Sequence, residues 1–514
     1  MRATRRQLVT ILIVAFSYLI GQLMVGTSVV VSFLLSIAIL FGLLAIFAGG
    51  GVQSAFGCLN AILISKFLLI GVAIKILVLE PADGTLYAPV TTATVMALGF
   101  FGVFLGTTIQ SYIPCPQRWS VNRPFSAQML LSLSVVLFCC SYGGYIVSMI
   151  PSTQGAGIQT GGWVGITHVL GSLKSLSIVP PMLYLWRKNT KLWMSHPVIL
   201  FLVIWSAIIG IFSTGKQEAI EPLVFYVLLG FLRYGWKDSR LWALVSMGAF
   251  YYMIIIFPYS QYVRSAGGRE GTFAERAQVT MDTFWRITSN EEFRATVTEH
   301  VSKEYYFGPS LAAFSRLAMV GEADRLIYAT EKQQAFTGWE TITWGFKLLT
   351  PSVLYPDKPI FEAANYLSHI AGESNEADTT TEVSYGMMAN LYNAFAFTGV
   401  LIGTPLFFGL FYYWVRIFLG DASWSGFPSA STLWFVWLVA SYQHSLVESS
   451  LSGLIASISF PSVIVLLCIL AKWLVPFFPA DAEADAPNGS ISPVTSADAP
   501  PTSPERMRLS GLYS

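Results

Sequence analysis

The stretch IIIFPYSQYVRSAGGRE, Ile254–Glu270, is where this chain changes solvent. Before it lie nine apolar stretches and after Gly386 come three more. Between them, Tyr259–Gly386 is a quarter of the chain with nearly half of its charged residues. It carries seven arginines (Arg264, Arg269, Arg276, Arg286, Arg294, Arg316 and Arg325) and is nonetheless net acidic. The surrounding sequence is hydrocarbon-soluble, so the pattern is that of a membrane scaffold presenting one polar cap.

Composition sets the class. With 54% apolar and 11% charged residues and a mean hydropathy of +0.59, the chain has too few polar groups to cover a globular surface. An all-α polytopic membrane protein is expected. A net charge of +1 and the lack of a long basic run argue against nucleic acid as a partner. Of five cysteines, Cys58, Cys139, Cys140 and Cys468 fall in apolar stretches and Cys115 in a short loop, which is neither a disulfide framework nor a zinc spacing. Basic Met1–Arg6 runs into an apolar stretch with no small-residue cleavage site, and reads as the start of a retained helix.

A spanning helix needs about 20 apolar residues. Twelve stretches qualify: Leu8–Val25, Val29–Ala48, Ala55–Leu79, Val90–Tyr112, Met129–Ile150, Trp163–Trp186, Pro197–Thr214, Ala219–Leu232, Leu241–Phe257, Met387–Val415, Ala430–Val447 and Ser457–Phe477. Domains follow as 1–257 with nine spans, 258–386 as a large partly helical loop, 387–478 with three spans, and 479–514. That last part, rich in Pro, Ala, Ser and Asp, is expected to be a disordered cytoplasmic tail. Arg2, Arg5, Arg6, Arg118, Arg123, Arg187, Lys188, Lys191, Arg233, Lys237, Arg240 and Arg416 all fall in alternate short loops, and the opposite short loops hold Lys216 alone. The positive-inside rule then places both termini in the cytoplasm and the polar segment outside. Within that segment, Thr272–Val301 and Pro309–Thr330 have helical apolar spacing. Trp339–Leu349, WETITWGFKLL, is expected to lie along the membrane interface.

Ionisable side chains in or at the edge of apolar spans are functional candidates. His168, Lys174, Lys216, Glu218, Glu221, Lys75 and Glu80 gather near the outer helix ends, with Lys66 near mid-membrane. His444 and Glu448, four apart, share a helix face. Lys75, Glu80 and Glu221 also fit plain snorkelling to the interface. The arginine fork suits bidentate phosphate recognition. Arg264, Arg316 and Arg325 stand out because they follow the ninth span or flank Asp324 in FSRLAMVGEADR. The Gly-rich Gly155–Gly165 lacks a Walker lysine, and no HExxH, paired-Asp loop or GxSxG appears, so no metal or cofactor is expected.

The layout resembles the Wzy-type oligosaccharide repeat-unit (O-antigen and exopolysaccharide) polymerases of bacteria. The residues that carry the resemblance are the Arg-plus-acid helix Arg316–Arg325, the turn Phe336-Thr337-Gly338, the phrase Tyr355-Pro356-Asp357-Lys358-Pro359, and Asn390-Leu391-Tyr392-Asn393-Ala394-Phe395 followed by Thr398-Gly399. An arginine with a glycine eleven positions on, which some members show, is missing from the loop. The related O-antigen ligases have a His with a Gly nine residues later, as His444 and Gly453 do here, although Leu446 stands where Asn or Ser is expected.

The resemblance implies a GT-C-like glycosyltransferase of the bacterial inner membrane that uses an undecaprenyl-pyrophosphate-linked oligosaccharide. A flippase and a chain-length regulator of the same pathway are implied as partners. Arg264, Arg316, Arg325, Lys216, His168 and Lys358 would contact substrate, and Asp324, His444 or Glu448 would act as base or as its orienting partner. The alternatives are a ligase of the same donor class and a transporter or flippase of lipid-linked oligosaccharide.

Overall fold

A computed structural model describes residues 5–114, 125–149, 170–171, 173–188, 190, 194–212, 216–235, 237–256, 259, 262–263, 273–293, 306–307, 314, 317–350, 355, 363–374, 383–420, 430–442, 455 and 460–478. All regular structure among them is helical. In chain order the helices are α1 (Arg5–Met24), α2 (Val29–Ala48), α3 (Ala55–Leu77, with a π turn at Ser65–Leu69), α4 (Pro89–Tyr112), α5 (Ala127–Met149), α6 (Val179–Arg187), α7 (Pro197–Phe212), α8 (Lys216–Tyr234) and α9 (Ser239–Tyr251, extended by a π turn to Ile256). The polar segment contributes α10 (Phe273–Ser289), α11 (Met319–Gln333), α12 (Glu340–Leu349) and α13 (Ala363–Ile370). There follow α14 (Met387–Thr398), α15 (Thr404–Leu419, preceded by a π turn at Gly399–Gly403), α16 (Ala430–Trp437, followed by a π turn) and α17 (Phe460–Leu474).

Among the described residues seven helical stretches are long and apolar enough to cross a membrane, and α7 and α17 are shorter apolar helices. Leu12, Ile13 and Phe16 on α1, Met247 and Phe250 on α9, and Leu406 and Leu410 on α15 are exposed. Water would penalise such a belt of side chains, and a bilayer would not. The chain is a multi-pass membrane protein.

The helices pack closely where side chains are smallest. Gly106 on α4 lies so near α15 that an added Cβ would sit 2.6 Å from the Pro405 carbonyl and 2.9 Å from the Gly409 nitrogen. Small residues allow this approach, and van der Waals contact then holds helices that lipid would not drive together. Beside that contact, Asn60 Nδ2 donates to the Ala45 carbonyl (2.9 Å) and to Thr107 Oγ1 (3.2 Å), while the Tyr412 hydroxyl donates to Asn60 Oδ1 (2.7 Å). One amide thereby ties α2, α3, α4 and α15. Interhelical hydrogen bonds of this kind contribute about 0.5–2 kcal/mol each in a membrane.

Three of the basic loop residues are held at helix ends. Arg416 donates to the carbonyls of Gln110 (2.7 Å) and Ile113 (3.2 Å), Arg187 donates to the Phe125 carbonyl, and Arg233 lies over Trp186. The polar segment meets the opposite end, where α2 and α4 begin.

The tenth expected span, Met387–Val415, is divided. Phe395 and Ala396 leave helical geometry, Ala396 with φ of +52°. A Cβ placed on Gly403 would meet the Leu391 side chain at 2.8 Å. In a straight helix these two residues would be about 18 Å apart, so Met387–Ala394 doubles back beside Gly399–Gly403 as a re-entrant half-helix. Counting back ~20 residues from Arg416, about 30 Å of helix, arrives at the break. The fold-back thus turns at the far boundary of the apolar layer.

Two further expectations are adjusted. The helix foreseen at Pro309–Thr330 runs from Met319 to Gln333, preceded by Ala318, which leaves helical geometry (φ −140°, ψ 60°) against Gly71 of α3, with residues 309–313, 315 and 316 outside the described set. The one foreseen at Thr272–Val301 runs from Phe273 to Ser289, with residues 294–301 outside the described set. The proposed tail, 479–514, lies outside it as well.

Gly399 sits where the two arms of the fold-back touch. Its Cβ would collide with the Leu391 carbonyl oxygen and lie 2.9 Å from Phe395 Cβ. Gly399→Ala is expected to cost about 1–3 kcal/mol and lower the thermal midpoint of protein in nanodiscs. An unchanged midpoint would mean that the arms do not meet. On α12, Trp339, Thr343 and Phe346 are exposed on one side while Thr341 and Gly345 are buried on the other. Trp339 rests on Phe395 (5.0 Å between ring centroids) at the level of the break. A polarity-sensitive dye on a cysteine at position 346 should show blue-shifted emission quenched by a lipid-borne quencher, and a dye at position 332 should not. Equal, water-like emission at both would place α12 away from lipid.

Candidate functional site at the mouth of the bundle

The mouth is built around α11, whose apolar spacing brings Met319, Val320, Ala323, Leu326 and Ile327 into the core. Asp324 is carried inward on the same face. Tyr87 N–H donates to Asp324 Oδ2 (2.6 Å), and Ala88 N–H (3.0 Å) and the Thr92 hydroxyl (2.7 Å) donate to Oδ1. The first amides of a helix have no partner within it, and a carboxylate there also favours the helix dipole. Asp324 therefore ties down, from 232 positions beyond Thr92, the two residues that lead into α4 and a hydroxyl of its first turn. Burial pushes its carboxyl pKa up on balance, while Thr92, Tyr87, Ala88 and nearby Arg325 act to hold it down. Both oxygens are occupied, so in this arrangement Asp324 anchors α11 to α4.

The neighbouring wall is roofed by Tyr306 and Phe307. Lys75, 1% exposed, pairs with Glu80 at 2.6 Å and lies 5.2 Å from the centre of the Tyr306 ring. The ammonium lies inward, against Glu80 and the ring face, so Lys75 does not snorkel. The Tyr306 hydroxyl donates to the Ala82 carbonyl (3.0 Å), and Thr85 donates to the Tyr306 carbonyl (2.9 Å). Burial, reinforced by Asp83, Asp324 and Glu80, pushes the Tyr306 hydroxyl pKa well up.

One residue past Asp324, Arg325 is ion-paired with Glu373, just beyond α13. Burial works to lower the guanidinium pKa, but Glu373 and then Glu322 outweigh it and the net shift is upward. Tyr385, at the start of the re-entrant arm, lies in the field of Glu373, Glu322 and Arg325.

The re-entrant arm is closed by the turn before α12. Thr337 N–H donates to the Asn393 carbonyl (3.1 Å) and Gly338 N–H to the Ala394 carbonyl (3.2 Å). Asn393 Nδ2 donates to Thr330 Oγ1 (2.8 Å) and to the Ala335 carbonyl (2.9 Å), and its Oδ1 accepts from Thr337 (2.9 Å). The Tyr392 hydroxyl donates to Glu331 (2.7 Å). Phe336-Thr337-Gly338 and Asn390–Phe395, two phrases apart in sequence, form one interlocked unit.

Asp324 and Arg325 are thus brought to this mouth side by side. Lys216 begins α8, with its side chain outside the described residues. His168, Arg264, Arg316, Lys358, His444 and Glu448 lie outside them entirely. Glu322, Glu373, Tyr385 and Asn393 are additions from the structure. The helical spacing of Glu322 and Arg325 was visible in sequence, but nothing local announces a partner 48 residues away. Lys66 lies in the π turn of α3, half-buried. Among the described residues no three His, Cys, Asp or Glu side chains gather as metal ligands would.

Replacing Asp324 by Ala leaves three donors without their acceptor, and should cost about 3 kcal/mol or more, given about 1.5–3 kcal/mol for a charged hydrogen bond. Asp324→Asn, which keeps one acceptor oxygen, should cost less. Thermal midpoints in nanodiscs in the order wild type, Asn, Ala test the anchor, and midpoints equal to wild type would refute it. Comparison with protein families, with curated proteins and with solved structures finds no match to this chain.

Proposed function

We propose that this chain is a bacterial inner-membrane glycosyltransferase that polymerises undecaprenyl-pyrophosphate-linked repeat units into surface polysaccharide. The observation that carries the proposal is a charged rim sunk against a re-entrant half-helix at the end of the bundle opposite its basic loops. A lipid-linked pyrophosphate presents its head group at that depth, with its sugars toward water. In this reading the chain has about twelve spans, the polar segment lies on the periplasmic face, and both termini are cytoplasmic.

In the reaction, a hydroxyl of the acceptor repeat unit attacks the anomeric carbon of the donor. The carbon–oxygen bond to pyrophosphate breaks, the pyrophosphate leaves with the electron pair, and the hydroxyl proton passes to a base. Charge grows on the leaving group, so preformed cationic donors lower the barrier. Arg264 and Arg316 are assigned to it, with Lys216, His168 and Lys358 along its approach. His444 or Glu448 is assigned as base. Asp324 holds the frame. Arg325, already paired with Glu373 and close to Glu322, is poorly suited to a dianion. The spacing of His444 and Gly453 favours a second reading, a ligase that moves finished glycan to another acceptor.

Deleting the gene and examining the glycan tests the proposal. A polymerase leaves single repeat units on their carrier and a ligase leaves long lipid-linked chains. Repeats trapped in the cytoplasmic leaflet would indicate a flippase, and an unchanged glycan would reject all three.

A further inference from the structure

α10 carries more apolar surface than its packing uses. Thr280, Thr283 and Ile287 are buried, while Met281 is 54% and Trp285 72% exposed. At about 100° per residue, Met281, Trp285 and Thr288 fill the sector of the helix next to the buried one, and Asp282, Arg286 and Ser289 fill the sector beyond. All six are exposed. A helix lying on protein in water needs one apolar face and one polar face. Buried, exposed apolar and exposed polar sectors in that order suit a helix at a membrane surface, where protein, lipid and water each take one.

The place where α10 is held points to the same partner. Phe284 and Ile287 pack with Tyr259 and Val263, and the Tyr259 hydroxyl donates to the Ile211 carbonyl (2.9 Å) in the last turn of α7. Earlier on α7, about 5 and 10 Å along its axis, Ile208 and Ile204 are exposed. α10 therefore continues the belt of side chains that a bilayer covers. Its exposed charges are mixed, Arg286 standing with Asp282, Glu291 and Glu292, so among the described residues it offers no basic cluster to anionic headgroups. We propose that Met281 and Trp285 insert among the phospholipids of the bilayer surface, held there by burial of apolar area and not by headgroup charge. Trp339, at the start of α12, rests on Phe395 of the re-entrant arm, and α10 rests on α7. The polar segment then grips the membrane beside two different helices of the bundle, whatever reaction it serves.

Photochemical labelling of the full chain tests this contact. A benzophenone amino acid is placed singly at positions 281, 285, 282 and 289, all exposed, so that the core is left intact. Each protein is illuminated in nanodiscs of phosphatidylcholine carrying a tritiated trace of the same lipid, and tritium on the protein is counted. Positions 281 and 285 should take up at least fivefold more label than 282 and 289. Equal labelling at all four positions, or none at 281 and 285, overturns the proposal. Cross-links from 281 or 285 to a second copy of the chain in place of lipid also overturn it, since the sector would then be a protein interface. Replacing a third of the lipid by phosphatidylglycerol should leave the yield unchanged, and a severalfold rise that salt abolishes would reject apolar burial as the cause. Trp285→Gln should lower labelling from position 281 at least threefold, and undiminished labelling would count against insertion.

Discussion

Away from water, each peptide group must find its partner within the protein, and this constraint organises the mouth of the bundle. Two helix ends fall where the apolar layer stops. Just before α4 the amides of Tyr87 and Ala88 are taken by Asp324, and the Thr92 hydroxyl is drawn to the same carboxylate. At the end of the re-entrant arm, the carbonyls of Asn393 and Ala394 are taken by Thr337 and Gly338. Both sets of partners come from the polar segment. It is therefore part of the membrane fold and cannot be regarded as a lid resting on a finished bundle.

The same argument explains why α11 carries the charges it does. A helix wedged against spanning helices must be apolar on its inner face, as Met319, Val320, Ala323 and Ile327 are. Its polar residues on that side can persist only with partners: Asp324 on α4, Thr330 on Asn393, Arg325 on Glu373.

Much of the architecture was legible in the sequence because it rests on local periodicity. The apolar stretches, the amphipathic α10 and α11, and aromatic α12 all follow from spacing. The fold-back at Phe395–Ala396 was not legible. An apolar run looks the same whether it crosses or returns, and the left-handed residue there is an alanine without a turn signature. Lys75 read as a snorkelling side chain because its roof, Tyr306 and Phe307, lies more than two hundred residues on. Asp324 and Arg325 stand out in the polar segment by sequence, but their partners come from Tyr87–Thr92 and Glu373. Pairing at such separations leaves no trace in a single sequence.

The distance between Asp324 and α4 also sets a schedule for biosynthesis. A ribosome adding about 5–20 residues per second leaves an interval of roughly ten to fifty seconds between the emergence of Thr92 and that of the residue that caps it. Throughout that wait the amides of Tyr87 and Ala88 are without the carboxylate that they bind in the folded protein. Closure of the mouth is thus a late assembly step, and truncated products ending before α11 would be bundles without a finished rim.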